Sequence, residues 1–126
     1  MSKQHLYFGK SGEELAVGFL KVNGYNILVK NYRSKLGEID IIAKDKDTIA
    51  FIEVKTRHSD KFGLPCEAVL KPKQKQISKA ALIFLKENNL LEQKARFDVV
   101  SIVYMDRGPK VDLIKNAFEL DGSFTY

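Results

Sequence analysis

Between Gly37 and Arg57 the chain carries two apolar runs, Gly-Glu-Ile-Asp-Ile-Ile-Ala and Ile-Ala-Phe-Ile-Glu-Val-Lys-Thr-Arg, with Lys44-Asp45-Lys46-Asp47-Thr48 between them. Short runs rich in β-branched residues and split by a charged break read as the two strands of a hairpin, at about 37–44 and 48–56. Ile49, Ala50, Phe51, Ile52 and Val54 are apolar on both alternating faces, the pattern of a central strand covered on both sides. Yet Asp40, Glu53 and Lys55 sit inside these runs, and Glu53 and Lys55, two apart, share a face. Two carboxylates and an ammonium among Ile, Phe and Val are costly unless they pair or hold an ion.

The remaining segments arrange themselves around that hairpin. Ser11 starts a helix with an apolar stripe of Leu15, Ala16, Phe19 and Leu20, and Asn23-Gly24 ends it. Residues 25–35 are β-like and lead through a turn at Ser34-Lys35-Leu36-Gly37 into the hairpin. Residues 57–70 read as irregular. Pro72 suits the first turn of a second helix, with Ile77, Ala80, Ala81 and Phe84 on its buried face and Asn88-Asn89 closing it. A buried strand follows at 96–104, a turn at Asp106-Arg107-Gly108-Pro109, and an edge strand at 110–119. Residues 1–9 are a lead-in. This order gives an α/β sandwich in one domain, 1–126: a small mixed β-sheet flanked by helices. The first three strands can pair as an antiparallel meander. The second helix can then cross over and bring 96–104 parallel to one of them.

A chain of 126 residues can bury one core. No apolar run approaches the ~18 residues of a membrane span, and no secretory h-region is visible. The single cysteine, Cys66, excludes an intramolecular disulfide and fits a reducing, cytoplasmic setting. A thiol nucleophile would need a base, and the nearby His58 falls in an apparent loop. With 21 Lys and Arg against 16 Asp and Glu, the net charge of +5 suits a polyanionic partner.

Asp40 and Glu53 have the chemistry to hold magnesium or manganese, hard cations that take carboxylate and carbonyl oxygens and keep several waters. Such an ion would bind a phosphate oxygen, activate a water and screen the charge that develops as a phosphodiester is cut. Lys55 would point into the same space and stabilise that charge. A general-base role would need its pKa far below ~10.4, and neighbouring carboxylates push it the other way. One geometric condition applies. In an antiparallel pair Asp40 shares a face with Glu53 only if opposing residue numbers sum to an odd value, which a two-residue loop gives and a three-residue loop does not, unless a bulge intervenes. The competing reading is a cross-strand ion pair of Lys55 with Asp40 or Glu38, worth roughly 0.2–1 kcal/mol.

Other charged residues also admit two readings. Ser11-Gly12-Glu13-Glu14 matches a capping box, while Glu14 also borders the apolar stripe and could reach toward the cluster. Glu38 is a supporting group or a solvated acid near a turn. Gln76 with Lys71, Lys73, Lys75 and Lys79 forms a solvated helix face or a surface that grips phosphates without reading bases, and Arg57, His58 and Lys61 would extend it. Tyr7, Phe8, Tyr25, Tyr32 and Phe62 are core residues or platforms for unpaired bases.

The central block, Gly-Glu-Ile-Asp-Ile-Ile-Ala followed by Ile-Ala-Phe-Ile-Glu-Val-Lys-Thr-Arg, closely resembles the YraN-like family of bacterial proteins. Weaker matches extend the resemblance over roughly residues 5–120: Gly12, Glu14 and Ala16, Gly24-Tyr25, Asn31-Tyr32-Arg33, Lys73, Ala80-Ala81, and Arg96-Phe97-Asp98-Val99-Val100. That family is grouped with the PD-(D/E)xK nuclease superfamily and is similar to archaeal Holliday-junction resolvases. Ile39 stands where the motif's name has Pro, as is common in the family. The resemblance implies a restriction-endonuclease-like fold and a metal site at Asp40, Glu53 and the main-chain carbonyl of Val54, with Lys55 and Glu14 completing the catalytic group. The expected function is a Mg2+- or Mn2+-dependent endonuclease on structured or branched DNA, gripped by Arg57, Lys71, Lys73, Lys75, Gln76 and Lys79. A two-fold homodimer would suit a junction substrate. The alternatives are a catalytically inactive nucleic-acid-binding module and a small protein-interaction domain whose hairpin charges are structural.

Overall fold

The computed structural model describes residues 11–58 and 71–118. Helix α1 (Gly12–Val22) starts where Ser11 caps it, the hydroxyl accepting from the Glu14 N–H at 3.1 Å. It stops where the Asn23 N–H turns back to the Phe19 and Leu20 carbonyls and Gly24 takes a φ of 89°. Strands β1 (Asn26–Ser34), β2 (Gly37–Asp45) and β3 (Thr48–His58) follow. Helix α2 (Lys71–Glu87) has Pro72 in its first turn, and strands β4 (Lys94–Met105) and β5 (Gly108–Phe118) complete the order. None of the described helices is long and apolar enough to cross a membrane.

The sheet runs β1-β2-β3-β4-β5. Three neighbouring pairs are antiparallel, and β3–β4, joined through α2, is parallel. The fold is therefore a mixed α/β sandwich, consistent with a small restriction-endonuclease-like domain. Each face of the sheet carries its own core. Ile39, Ile42, Phe51, Phe97 and Val99 pack with Ile77, Ala80, Ala81 and Phe84 of α2. Ile41, Ala43, Ala50, Ile52, Val100 and Ile102 pack with Ala16 and Leu20 of α1.

Two features of the sheet position the site. The first is register. β2 and β3 pair from Asp45↔Thr48 to Ile41↔Ile52, around the two-residue turn Lys46-Asp47, so opposing numbers have the odd sum that the cluster requires. The second is a fork. β3 stays paired with β4 as far as His58↔Tyr104, whereas β2 leaves β3 after Ile41↔Ile52 and stays with β1 as far as Ser34↔Gly37. The alternation of β2 also slips once at this point: Ile39 and Ile42 serve one core, Ile41 and Ala43 the other. His58, expected in a loop, is instead the last residue of β3, because the parallel ladder to β4 carries that strand onward.

Close contacts fix both helices against the prongs of the fork. A Cβ at Gly12 would lie 2.5 Å from Thr56 Cγ2 on β3, and one at Gly37 would lie 2.7 Å from the Gln76 carbonyl oxygen on α2. Backbone cannot rotate aside as a side chain can. Gly37→Ala is therefore expected to push α2 off β2 and to cost about 1–3 kcal/mol in urea unfolding. An unchanged midpoint would contradict that contact.

On the α1 face a second charged group is buried. Asp98, fully buried, accepts from both the Arg96 Nε (3.0 Å to each oxygen) and the Asn116 N–H (2.9 Å), and Tyr25 Oη donates to it at 3.2 Å. Arg96 Nη2 also reaches Asp45 at 2.7 Å, which Lys115 approaches at 3.3 Å. Tyr25 is thus a core residue, not a base platform; burial, then the Asp98 charge, push its hydroxyl up to about 12. Tyr32 packs edge-on against Phe84 and donates to Glu87 at 3.0 Å, so it too is engaged within the fold. Tyr7, Phe8, Lys61, Phe62 and Cys66 lie outside the described residues. Both edge strands are irregular: β1 has a shift at Ile27/Val29 and Asn31 at φ 54°, and β5 has one opposite Phe97/Val99 and Asn116 at φ 57°. Such breaks blunt an edge as a template for another chain.

Candidate active site

Asp40, Glu53, Val54 and Lys55 lie on β2 and β3 where the two strands part. Asp40 would lie opposite Glu53 had the ladder continued. Instead its Oδ2 accepts the freed Val54 N–H at 2.8 Å, which fixes the carboxylate between the prongs. Glu53 is 6 % exposed. Burial first, and the Asp40 carboxylate within hydrogen-bonding reach second, push its carboxyl from 4.5 up to about 7; Lys73 and, more weakly, Lys55 act against that rise. Lys73 Nζ, from the first turn of α2, stands 3.6 Å from Glu53 Oε1. Lys55 is half-buried two residues along the strand. Glu38 pairs on the surface with Arg33 at 3.5 Å, so it is an exposed acid near a turn.

The first helix contributes differently from the sequence reading. Glu14 is exposed and engaged in the capping box, its carboxylate 3.4 Å from Ser11 Oγ. Glu13 is the first-turn acid that senses the charge of Asp40. Its carboxyl is raised by burial and then by the charge of Asp40, while a hydrogen bond with Asn31 and the charge of Lys30 pull it back. The signal was present in the sequence: once Ser11 takes Glu14 as its partner, Glu13, one step around the helix, is the acid left for the sheet. The sequence places Lys73 on a basic helix face and among the residues of the family resemblance, and its contact with Glu53 depends on a crossover that spacing cannot supply.

Two neighbouring carboxylates, Glu53 buried and Asp40 half-buried, have the chemistry to fit a hard divalent cation. Among the described residues no three His, Cys, Asp or Glu side chains converge to hold a metal. A cation between Asp40 and Glu53 would therefore draw the rest of its shell from carbonyl and water oxygens, as magnesium readily does. Without a cation the pair is a liability, and its sign with pH follows from Glu53. Between pH 4.5 and about 7 the folded chain keeps a proton there that the unfolded chain has released. Stability is thus full below that window and falls as pH rises through it. Glu53→Gln is expected to be more stable than the parent by on the order of 3 kcal/mol at about pH 8 in chelator, and by little at about pH 5, in urea unfolding. Equal stability at the higher pH would contradict the enforced pairing.

The remaining residues read as nucleic-acid contacts are distributed unevenly. Arg57 continues the Glu53–Lys55 face of β3 and is half-buried. On α2, Lys71, Lys75 and Gln76 are exposed, and Lys79 is half-buried one turn beyond Lys75. Lys73 of this group stands within 3.6 Å of Glu53. Ser101, paired with Lys55 in the β3–β4 ladder, and Ser78 of α2 are buried, and their hydroxyls have no hydrogen-bond partner among the described residues.

Residues 12–102 match the uncharacterised protein family UPF0102, a span that contains the whole fork and both helices. The chain is also similar to three bacterial proteins named UPF0102 protein. That of Syntrophus aciditrophicus is 52% identical over 93% of this chain and 92% of its own. That of Geobacter metallireducens is 49% identical over 95% and 98%. That of Caldicellulosiruptor saccharolyticus is 51% identical over 94% and 100%. With the match covering fold, fork and flanking helices alike, the chain belongs to the UPF0102 family.

Proposed function

We propose that this protein hydrolyses phosphodiester bonds in structured or branched DNA, with a divalent cation held by Asp40, Glu53 and the main-chain carbonyl of Val54. One observation carries the reading: the Val54 N–H holds the Asp40 carboxylate at 2.8 Å beside the buried Glu53, so two acids share one place in the sheet. When bound, Mg2+ or Mn2+ would polarise a phosphate oxygen and lower the pKa of a water.

The chain's own groups do the rest. The Val54 N–H holds the Asp40 carboxylate in place. Lys55, on the same strand face as Glu53, supplies positive charge where negative charge grows in the transition state. Arg57 and the lysines of α2 bind phosphates without distinguishing bases, so affinity falls steeply with salt. Glu13, beside Asp40, adds to the negative field that attracts a cation. The net charge of +5 suits the polyanionic partner.

The test is incubation with four-way junctions, forks, flaps and supercoiled plasmid in millimolar Mg2+ or Mn2+. The expected result is cutting that requires the metal and is quenched by chelator. Salt-sensitive binding with no cut in any of these substrates would leave a binding module and overturn the hydrolytic reading.

A further inference from the structure

Lys73 occupies a position that a phosphate-gripping residue alone does not require. Its ammonium is 3.6 Å from a Glu53 oxygen, yet its side chain is 41% exposed while that of Glu53 is 7% exposed. It therefore reaches the buried acid from the solvent side, the side from which a cation and a nucleic-acid strand would enter. The backbone that carries it is fixed, because the next turn of α2 lies against Gly37 with no room for a Cβ, whereas its four-carbon stem can swing. The first turn of α2 has no acid and carries Lys71 and Lys73 at the positive end of the helix dipole, an arrangement that favours an anion there. Glu53 meets that need only while nothing else claims it.

We propose that Lys73 is an exchangeable counter-ion: it holds the Glu53 carboxylate while no divalent cation is bound, and when a cation takes that carboxylate the freed ammonium binds a phosphate of the nucleic-acid strand. This inference rests on the cation-dependent reading above. Its consequence is coupling. Cation and nucleic acid each strengthen the other's binding, by the same factor in both directions. The pair is long at 3.6 Å and its lysine is 41% exposed, so the ammonium can leave the buried carboxylate for solvent or a phosphate.

The test uses the full chain. Mg2+ is titrated at about pH 8.5, where Glu53 is ionised, and followed by heat stability, for the parent, Lys73→Gln and Lys73→Arg. The glutamine variant is expected to reach half its stabilisation at about three- to tenfold lower Mg2+, because no resident cation must leave. The arginine variant should behave like the parent. In a Lys55→Met background, used to suppress cutting, binding of a fluorescent four-way junction is then compared with and without Mg2+. Adding Lys73→Gln should weaken binding about three- to tenfold in Mg2+ and less than about twofold in chelator. An equal loss in both conditions, or Mg2+ half-points that are unchanged or raised in Lys73→Gln, would overturn the exchange while leaving the cation site standing. A parent with no Mg2+ response at all would overturn the cation site itself.

Discussion

Asp40→Asn is expected to lower the rate of metal-dependent cutting by about 10³-fold or more, and Lys55→Met by about 10²–10³-fold. Asn keeps the size of Asp and can still accept the Val54 N–H now bonded to Asp40 at 2.8 Å. The fork should therefore keep its shape and the loss should report charge, not folding. Lys55→Met keeps the apolar stem of a half-buried side chain and removes only its ammonium. The measurement is single-turnover cleavage of a four-way junction with excess enzyme in Mg2+, with circular dichroism to show that both variants are folded. Rates within about threefold of the parent would remove these residues from the chemistry.

The largest expected stability loss lies on the α1 face of the sheet. Asp98→Ala is expected to destabilise the chain by about 3–5 kcal/mol. Asp98 is fully buried and serves three donors: Arg96 Nε, Tyr25 Oη and the Asn116 N–H. Its removal strips the buried flank of a guanidinium whose side chain is 17% exposed and leaves the Asn116 N–H on β5 without its acceptor. Asp45, at 2.7 Å from Arg96, can hold only part of that charge. The Arg96 hydrogen bond keeps the Asp45 carboxyl below its usual 3.8. A depressed folded-state value means that this contribution is present above that pH and is lost as pH falls below it. Urea unfolding at neutral pH checks the main prediction, and a cost under about 1 kcal/mol would show that the network is dispensable.

These two charged groups were unequally legible in the sequence. The hairpin was readable because its signals are local: alternating apolar runs, a short charged break, and a parity rule that a two-residue turn satisfies. Ser11, Pro72 and Asn88-Asn89 marked helix ends for the same reason. The Asp40, Glu53 and Lys55 cluster was visible because charges inside apolar strands conflict with their surroundings. Long-range partners were not visible. Nothing near Arg96 or Asp98 in the chain indicates that Tyr25, about 70 residues away, will bond to both. The contact of Lys73 with Glu53 depends on how α2 crosses the sheet. The fork itself is a departure from regular pairing, and periodicity reports only the regular part. Glu14 stands out in the sequence because it borders the apolar stripe and matches the family pattern, yet it lies exposed beside Ser11, and Glu13 is the first-turn acid whose carboxyl the Asp40 charge raises.

We propose that Asp40 and Glu53 together hold one divalent cation. Diffraction from crystals grown in Mn2+, with anomalous scattering recorded near the manganese edge, tests it most directly. The expected result is a single strong anomalous peak at the fork, bonded to one oxygen of each carboxylate, with Lys73 moved away from Glu53. A fork that shows no peak at millimolar Mn2+, with Lys73 still seated on Glu53, would contradict it.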